Sequence, residues 1–103
     1  MNAIYSKARA SGSIRTPREN FLWFETLRPD ELHINSTRIP RIDGTDVQDL
    51  SKAEVEGRKQ AVNLHDFLKE NVPGFELSYI SRMASGVGIR ESRRIRGEYT
   101  LTL

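Results

Sequence analysis

The chain has 103 residues, 16 of them Lys or Arg and 14 of them Asp or Glu, so its formal net charge is only +2. This length allows about one domain with a modest core, and the hydrophobic fraction of 37% is below that of most soluble domains. The near-neutral charge gives no indication of nucleic-acid binding, and the absence of cysteine excludes disulfides, thiolate metal sites and cysteine nucleophiles.

The first nineteen residues are rich in Ser, Arg, Lys and Gly and show neither helical nor strand periodicity. We expect residues 1–19 to form a flexible basic tail and residues 20–103 to form the domain. A basic transit peptide is a less favoured alternative, because no periodic apolar face accompanies the charge. No apolar run approaches the roughly 18 residues of a membrane span, and no secretory signal is present. A cytoplasmic location without membrane contact is therefore expected.

A β-hairpin is predicted between residues 21 and 37. The stretch "FLWFETL" is aromatic and β-prone, "RPDE" places Pro at a turn position, and Leu32 and Ile34 alternate with polar residues. Because the aromatic stretch lacks clean alternation, we expect both of its faces to be covered inside a sheet.

One long helix is predicted after this hairpin. Ser51 and Glu54 fit a capping box, so the helix should begin near Lys52, and Pro73-Gly74 should end it after Asn71 or Val72. The apolar stripe along this helix comprises Ala53, Gly57, Ala61, Leu64 and Leu68, widened by Val62 and Phe67. A close neighbour is the simplest reason for a glycine within this stripe.

Two more strands are predicted near the end of the chain. The stretches "FELSYISRMAS" and "EYTLTL" alternate apolar and polar residues, and the second places Tyr99, Leu101 and Leu103 on one face. The order of elements predicts class α+β, an antiparallel sheet of about four strands with one long helix packed on one face.

Few residues suggest catalysis. His33 and His65 are the only imidazoles, and each is more simply explained as an ordinary surface or half-buried histidine. Asp43, Asp46 and Asp49 lack the glycine and final glutamate of a calcium loop, and a run of acids before a helix explains them better. The sequence predicts no metal site and leaves the catalytic residues unknown.

The most unusual stretch is the arginine loop, which we define as residues 88–97. It contains Gly88, Arg90, Glu91, Arg93, Arg94, Arg96 and Gly97. The dinucleotide-binding fingerprint GxGxxG is excluded, because Glu91 occupies the position of its third glycine. Two interpretations remain open: an anion-binding loop with forked guanidinium donors, and a solvated turn whose arginines pair with Glu91 and Glu98.

The succession of motifs resembles a known family. The stretches "INSTRI", "DGTD", "DLSKAEVEGRKQ", "FLKENVPGFE" and "GIRESRRIRGEYTLT" are similar to the middle region of FAD-dependent oxidoreductases related to heterodisulfide reductase A-like flavoproteins. The resemblance covers about residues 20–103. It implies that the chain is an internal piece, the substrate-side domain of such an enzyme. Hydride transfer between substrate and flavin would be the chemistry of the complete parent.

The resemblance also implies a cofactor and partners. FAD belongs to the complete parent, where a Rossmann-type domain outside this chain binds it, so the isolated chain is expected to be inactive and to bind no FAD. Any iron–sulfur cluster must lie outside this segment. The cofactor- or substrate-binding residues implied are Gly88, Arg90, Glu91, Arg93, Arg94 and Gly97. Arg90 and Arg93 would hold an anion or orient the flavin, whereas Arg94 and Arg96 would be more structural.

Two alternatives of other classes stay open. A small stand-alone module could use residues 90–96 to bind an acidic partner, with nucleic acid less favoured because the aromatic residues are expected in the core. An assembly role is the other alternative, in which an exposed edge strand such as "FLWFETL" joins a partner's sheet and the chain self-associates.

Overall fold

Two helices and one short hairpin make up the regular structure of the chain. A computed structural model describes all 103 residues. In chain order the elements are helix α1 (Asn2–Ser11), strand β1 (Trp23–Glu25), strand β2 (Leu32–Ile34) and helix α2 (Val47–Asn71). No helix or strand follows α2. The arginine loop therefore lies in an irregular segment.

Helix α2 begins earlier than the sequence pattern predicts. Its N-cap is Asp46, whose backbone is extended and whose carboxylate accepts a hydrogen bond of 2.8 Å from the Gln48 N–H. This bond satisfies one of the donors that a first helical turn leaves unpaired. The predicted capping box is wrong, because Ser51 and Glu54 both lie inside the helix.

The C-terminal end of α2 confirms the prediction. The helix ends at Asn71, and the N–H of its C-cap, Val72, donates to the Leu68 carbonyl at 2.9 Å. Gly74 then adopts a φ of +100°, a conformation that L-residues with a side chain rarely tolerate. Pro73 and Gly74 thus stop the helix and redirect the chain.

One face of α2 is buried, and it overlaps the predicted apolar stripe only in part. Its buried residues are Ala53, Gln60, Leu64, Phe67 and Leu68. Val62, which the pattern assigns to the stripe, is 43% exposed. The buried face also includes Gln60. A pattern based on apolar residues does not predict a glutamine at a core position.

Helix α1 is the second helix, and the sequence does not predict it. Its C-cap Gly12 has a φ of +78°, and its N–H donates to the carbonyls of Ala8 and Arg9. Tyr5 is fully buried, and its ring lies 5.4 Å from that of Phe21. The basic segment thus places an aromatic side chain in the core, although only one of its residues in α1 is buried. The division of the chain at residue 20 stays a prediction.

The hairpin is confirmed, in a shorter form. β1 and β2 pair antiparallel, with Trp23 opposite Ile34, Phe24 opposite His33 and Glu25 opposite Leu32. The prediction that the aromatic strand is covered on both faces is wrong, because Trp23 is 39% and Phe24 52% exposed. This strand pairs with one other strand only, so no strand is hydrogen-bonded to its other edge.

The core lies where α1, the hairpin and α2 meet. It comprises Tyr5, Ile14, Phe21, Leu64, Phe67 and Leu68. Tyr5 packs edge-on against Phe67 with ring centroids 6.2 Å apart, and its hydroxyl donates to the Arg18 carbonyl at 2.9 Å. The phenol thus contributes apolar area while its polar end is satisfied, as a buried tyrosine requires.

Two buried polar side chains tie the hairpin region to its neighbours. The Ser36 hydroxyl accepts from the Leu22 N–H at 2.7 Å and donates to the Leu22 carbonyl at 2.9 Å. Gln60 of α2 makes the same double contact with Arg38: its Oε1 accepts from the Arg38 N–H and its Nε2 donates to the Arg38 carbonyl, both at 2.9 Å. Ser36 thus pairs the Leu22 N–H, while the Leu22 carbonyl also accepts from the Asn35 N–H at 2.9 Å, and Gln60 pairs both backbone groups of Arg38.

The predicted fold class is wrong. The structure has two helices and a single two-stranded antiparallel sheet, not a four-stranded sheet with one long helix. The stretches 75–85 and 98–103 alternate as strands do, yet no backbone–backbone hydrogen bond involves a residue after Ser78. Alternation describes a residue pattern, but a strand forms only where a neighbouring backbone edge is available to pair with it.

The chain is more extended than a compact domain of this length. Its radius of gyration is 16.6 Å, whereas a compact domain of about 100 residues has about 13 Å. Only 9 of 103 residues are buried, so the core covers a small part of the chain. Neither helix combines the length and the apolar character needed to cross a lipid bilayer.

Candidate functional site

The arginine loop lies at the surface. Every residue from 88 to 103 is exposed, and the loop contains no helix or strand. A side chain added at Gly88 would have no atom within 4 Å, so the backbone there is open to approach from solvent. A Cβ at Gly97 would meet the Tyr99 carbonyl at 3.3 Å. Neither glycine has a positive φ.

The charges of the loop are only partly neutralised. Arg94 forms an ion pair with Glu91, three residues earlier, with both side chains mostly exposed. Arg90, Arg93 and Arg96 form no ion pair. The Arg94–Glu91 pair is one of those that the solvated-turn interpretation expects, whereas Glu98 forms no ion pair. Three guanidinium groups within seven residues are thus free to bind an anion.

The base of the loop is anchored on helix α2. Glu54 Oε1 accepts a hydrogen bond of 2.7 Å from the Val87 N–H, and Glu54 Oε2 lies 3.8 Å from Arg58 Nη2. Sequence reasoning assigned Glu54 to a helix cap and missed this role. No local signal could have revealed it, because the two bonded residues are 33 positions apart.

A second anchor joins the loop to the turn before α2. A Cβ at Gly44 would lie 2.6 Å from Ile89 Cγ2, so only glycine leaves room for the Ile89 side chain. The turn itself is held by Asp43, whose Oδ1 accepts from the Thr45 hydroxyl at 2.7 Å and from its N–H at 2.9 Å. These bonds from Thr45 hold the pKa of the Asp43 carboxyl below its usual value.

Gly57 is a third position at which α2 lies close to other parts of the chain, but the contact is less tight than the sequence predicts. A Cβ there would meet Ile39 Cδ1 at 3.4 Å and Val87 Cγ1 at 3.8 Å. Neighbours are therefore present, but at ordinary contact distances. The glycine is compatible with the packing without being required by it.

Three aspartates at the start of α2, of which Asp49 lies in its first turn, serve local turn geometry. Asp46 caps the helix, and Asp49 Oδ2 accepts from the Asp43 N–H at 2.9 Å while its Oδ1 lies 3.9 Å from Lys52 Nζ. No group of three or more His, Asp or Glu side chains converges as metal ligands would. Their arrangement favours the helix terminus, where negative charge is stabilising.

The two histidines have structural contacts. His33 lies beside Phe24, with ring centroids 6.1 Å apart. His65 Nε2 lies 3.1 Å from the Ser78 hydroxyl, which lies 2.7 Å from the Phe75 carbonyl. Because a carbonyl can only accept, the Ser78 hydroxyl donates its proton to the Phe75 carbonyl. His65 Nε2 therefore donates to the Ser78 oxygen. A histidine acting as a base toward a serine nucleophile requires the opposite direction, so this pair ties α2 to the chain after it.

Comparison with known families gives the chain a place. The family model described as FAD dependent oxidoreductase matches residues 2–103. The chain belongs to the FAD-dependent oxidoreductase family. No curated protein and no solved structure matches the chain. The match extends the resemblance seen in the sequence from residues 20–103 to α1 as well.

Membership of the FAD-dependent oxidoreductase family implies FAD, and the residues present do not form a complete site for it. A dinucleotide pyrophosphate is typically held at a helix N-terminus after a glycine-rich turn. Here α2 begins after Asp43 and Asp46 and carries Asp49 in its first turn, and these carboxylates would repel phosphate. The arginine loop offers guanidinium groups that suit an anion.

Proposed function

We propose that this chain is the substrate-side segment of a cytoplasmic FAD-dependent oxidoreductase of the heterodisulfide reductase A-like kind, with the arginine loop facing flavin or substrate. In the complete enzyme, bound FAD supplies the hydride-transfer chemistry. The contribution of this chain is to hold and orient an anionic group. The residues assigned to this role are Gly88, Arg90, Glu91, Arg93, Arg94 and Gly97.

The observation that carries the proposal is the set of free guanidinium groups on a loop whose base is anchored. Glu54 and Gly44 hold the loop through Val87 and Ile89, while the arginines extend into solvent. Fixed positive charge stabilises an anionic reduced flavin or an acidic substrate, and it does so best when its position is set beforehand.

The arginines have different roles within this proposal. Arg90 and Arg93 have no carboxylate partner and would bind the anion. Arg94 is held by Glu91, so this pair would orient the loop. Arg96 also lacks an ion-pair partner, which makes it a further anion donor, whereas the sequence assigned it a structural role.

The proposed partners are the Rossmann-type FAD domain of the same parent and a small-molecule substrate. The scarcity of buried residues and the acidic N-terminus of α2 support this, because the chain has neither a large core nor a pyrophosphate cradle. We expect no FAD binding and no activity from the chain alone. With no cysteine available, any iron–sulfur cluster of the parent would be ligated elsewhere.

The test is reconstitution with a flavin. The purified chain is mixed with the FAD-loaded domain of a family relative from which the matching region has been removed, and flavin absorbance and reduction potential are recorded. We expect the chain to perturb the spectrum and raise the potential, since added positive charge favours the reduced anion. Replacing Arg90 and Arg93 together by Gln should remove most of the rise in potential.

The matched control is Arg82→Gln, an exposed arginine outside the loop. It should leave the potential unchanged. A chain that leaves the flavin unperturbed, or an Arg82→Gln variant as impaired as the double variant, would contradict the proposal. Tight binding of FAD to the chain alone would contradict the expectation that it is not autonomous.

A second candidate function is a binding module for an acidic partner or nucleic acid. It is favoured by the 82% exposure of Tyr99, two residues beyond the loop. Sequence reasoning expected the aromatic residues in the core, but Trp23, Phe24, Tyr79 and Tyr99 are all substantially exposed. Guanidinium groups beside an exposed ring suit single-stranded nucleic acid, which binds by charge and stacking.

Salt dependence separates the two functions. Binding of a single-stranded oligonucleotide through phosphates should weaken steeply with log[salt], and Tyr99→Ala should weaken it further by removing a stacking surface. Absence of such binding at low salt would eliminate this candidate for nucleic acid and leave the flavoprotein proposal intact.

A further inference from the structure

The last six residues have the pattern of a strand and no partner. In "EYTLTL", residues Tyr99, Leu101 and Leu103 alternate with polar neighbours and are 82%, 88% and 129% exposed. Their backbone makes no backbone–backbone hydrogen bond. A segment with strand periodicity, exposed apolar side chains and free N–H and C=O groups is suited to join the edge of a sheet.

The same chain carries a free sheet edge. β1 pairs with β2 on one side only, and its three residues are all exposed. In an antiparallel pair, alternate residues direct their backbone groups away from the partner strand. Trp23 and Phe24 add apolar surface at this edge, at 39% and 52% exposure.

Charge favours contact between these two surfaces. Residues 19–34 around the hairpin carry four carboxylates and one arginine, whereas residues 90–98 before the strand-like segment carry four arginines and two glutamates. Of the hairpin acids, only Asp30 is paired, with Arg28 at 3.4 Å. An acidic edge and a basic approach segment attract each other and disfavour pairing of like with like.

We propose that residues 99–103 of one copy of this chain add antiparallel to the free edge of β1 in a second copy. Antiparallel pairing suits short strands. It also places the arginine loop of the first copy beside Glu25 and the acidic hairpin turn of the second. Because the contact is reciprocal, two copies form a closed dimer with a pair of three-stranded sheets. This inference does not rest on a flavin role for the loop.

The test measures the oligomeric state of the full 103-residue chain by sedimentation over a range of micromolar concentrations. We expect a monomer–dimer equilibrium and a Trp23 emission shift that follows the dimer fraction. Leu101→Lys should raise the dimer Kd by about tenfold or more, because a charge on the added strand opposes burial at the edge. Thr100→Pro should have a comparable effect by removing a backbone donor.

Leu77→Lys is the matched control, since Leu77 is 96% exposed and lies outside the proposed strand. Both leucines are exposed, so neither change disturbs the core, and circular dichroism checks this. Equal weakening by both variants would mean general apolar association and overturn the proposal. A chain that stays monomeric overturns it too, including one whose Trp23 shift is independent of concentration, which would mean pairing within one copy.

A charge variant tests the orientation. Glu25→Lys should raise the dimer Kd roughly threefold at low salt and less at high salt. Glu70→Lys, on an exposed position of α2, should not. A dimer that is insensitive to Glu25→Lys would overturn the antiparallel arrangement beside the arginine loop.

Discussion

Residues 1–74 and residues 75–103 differ in how far their own polar and apolar groups are buried and paired. All nine buried residues lie in the first region, where α1, the hairpin and α2 share one core. The second region has no helix or strand and makes its last backbone–backbone hydrogen bond at Ser78. It is attached through a few contacts, chiefly Glu54 with Val87 and Gly44 beside Ile89.

This difference shows how a small chain can separate stability from binding. The first region contains the burial that stabilises the fold, and the second presents charges and strand-like backbone to other molecules. Substitutions of buried residues in the first region should therefore affect unfolding, whereas substitutions in the second should affect binding and leave unfolding almost unchanged. Each prediction below tests that division.

The largest effect on stability is expected at Tyr5. Tyr5→Ala removes a fully buried ring that contacts Phe21 and Phe67, and loss of a buried aromatic costs about 3–5 kcal/mol. Tyr79→Ala, at an 80% exposed position of the second region, should change stability by less than about 0.5 kcal/mol. Urea unfolding measures both, and equal effects would break the division.

The next effect is expected at Gln60. Gln60→Ala leaves the N–H and carbonyl of Arg38 without their partner, which should cost about 2 kcal/mol. Gln48→Ala, at an exposed position of α2, keeps helix propensity similar and should be nearly neutral. The difference in urea midpoint between these variants measures the contribution of the two Gln60–Arg38 hydrogen bonds. Equal midpoints would show that water replaces the glutamine as the partner of Arg38.

A smaller effect separates two glycines. Gly74→Ala places a side chain at a φ of +100° and should destabilise by about 1 kcal/mol. Gly88→Ala meets nothing within 4 Å and has no positive φ, so its unfolding free energy should be unchanged. Thermal unfolding compares them. Destabilisation by Gly88→Ala would mean that the arginine loop contributes to the folded unit.

The smallest effect concerns pH and the contact between the regions. Thr45 lowers the pKa of Asp43, so the folded state binds this proton less readily than the unfolded state. The turn's contribution is therefore present above the unfolded pKa and is lost as pH falls through the folded pKa. An NMR titration should give a low midpoint for Asp43, partly restored to its usual value by Thr45→Val.

The same titration sharpens the comparison. Gly44 lies next to Asp43 and against Ile89, so the Ile89 methyl resonances should move with the Asp43 midpoint. The Leu77 methyls, in the second region but outside that contact, serve as the control. Ile89 methyl resonances that do not shift at the Asp43 midpoint would mean that the turn does not hold the loop.

Local signals predicted some elements well. The hairpin follows from β-prone residues on both sides of "RPDE", and the end of α2 follows from Pro73-Gly74. The start of α2 could not be predicted as well, because both Asp46 and Ser51 are good caps and only backbone geometry chooses between them. Helix α1 was missed because a single buried side chain, Tyr5, leaves no periodic stripe.

The sequence predicted which residues make up the candidate site, but not which residues anchor it. The sequence alone identified the arginine loop and the resemblance to FAD-dependent oxidoreductases, since charge density and motif order are properties of the chain itself. It could not identify Glu54 or Gly44 as anchors, because each contacts a residue more than thirty positions away.

The sequence by itself determined the hairpin, the long helix, the family and the arginine-rich surface, all of which depend on neighbouring residues. Only the tertiary structure decided that Tyr5 and Gln60 are buried, that the aromatic strand is an edge, and that the two predicted C-terminal strands are unpaired. The physical reason is that burial and strand pairing depend on what lies opposite in space, and a periodic pattern specifies only which residues share a face.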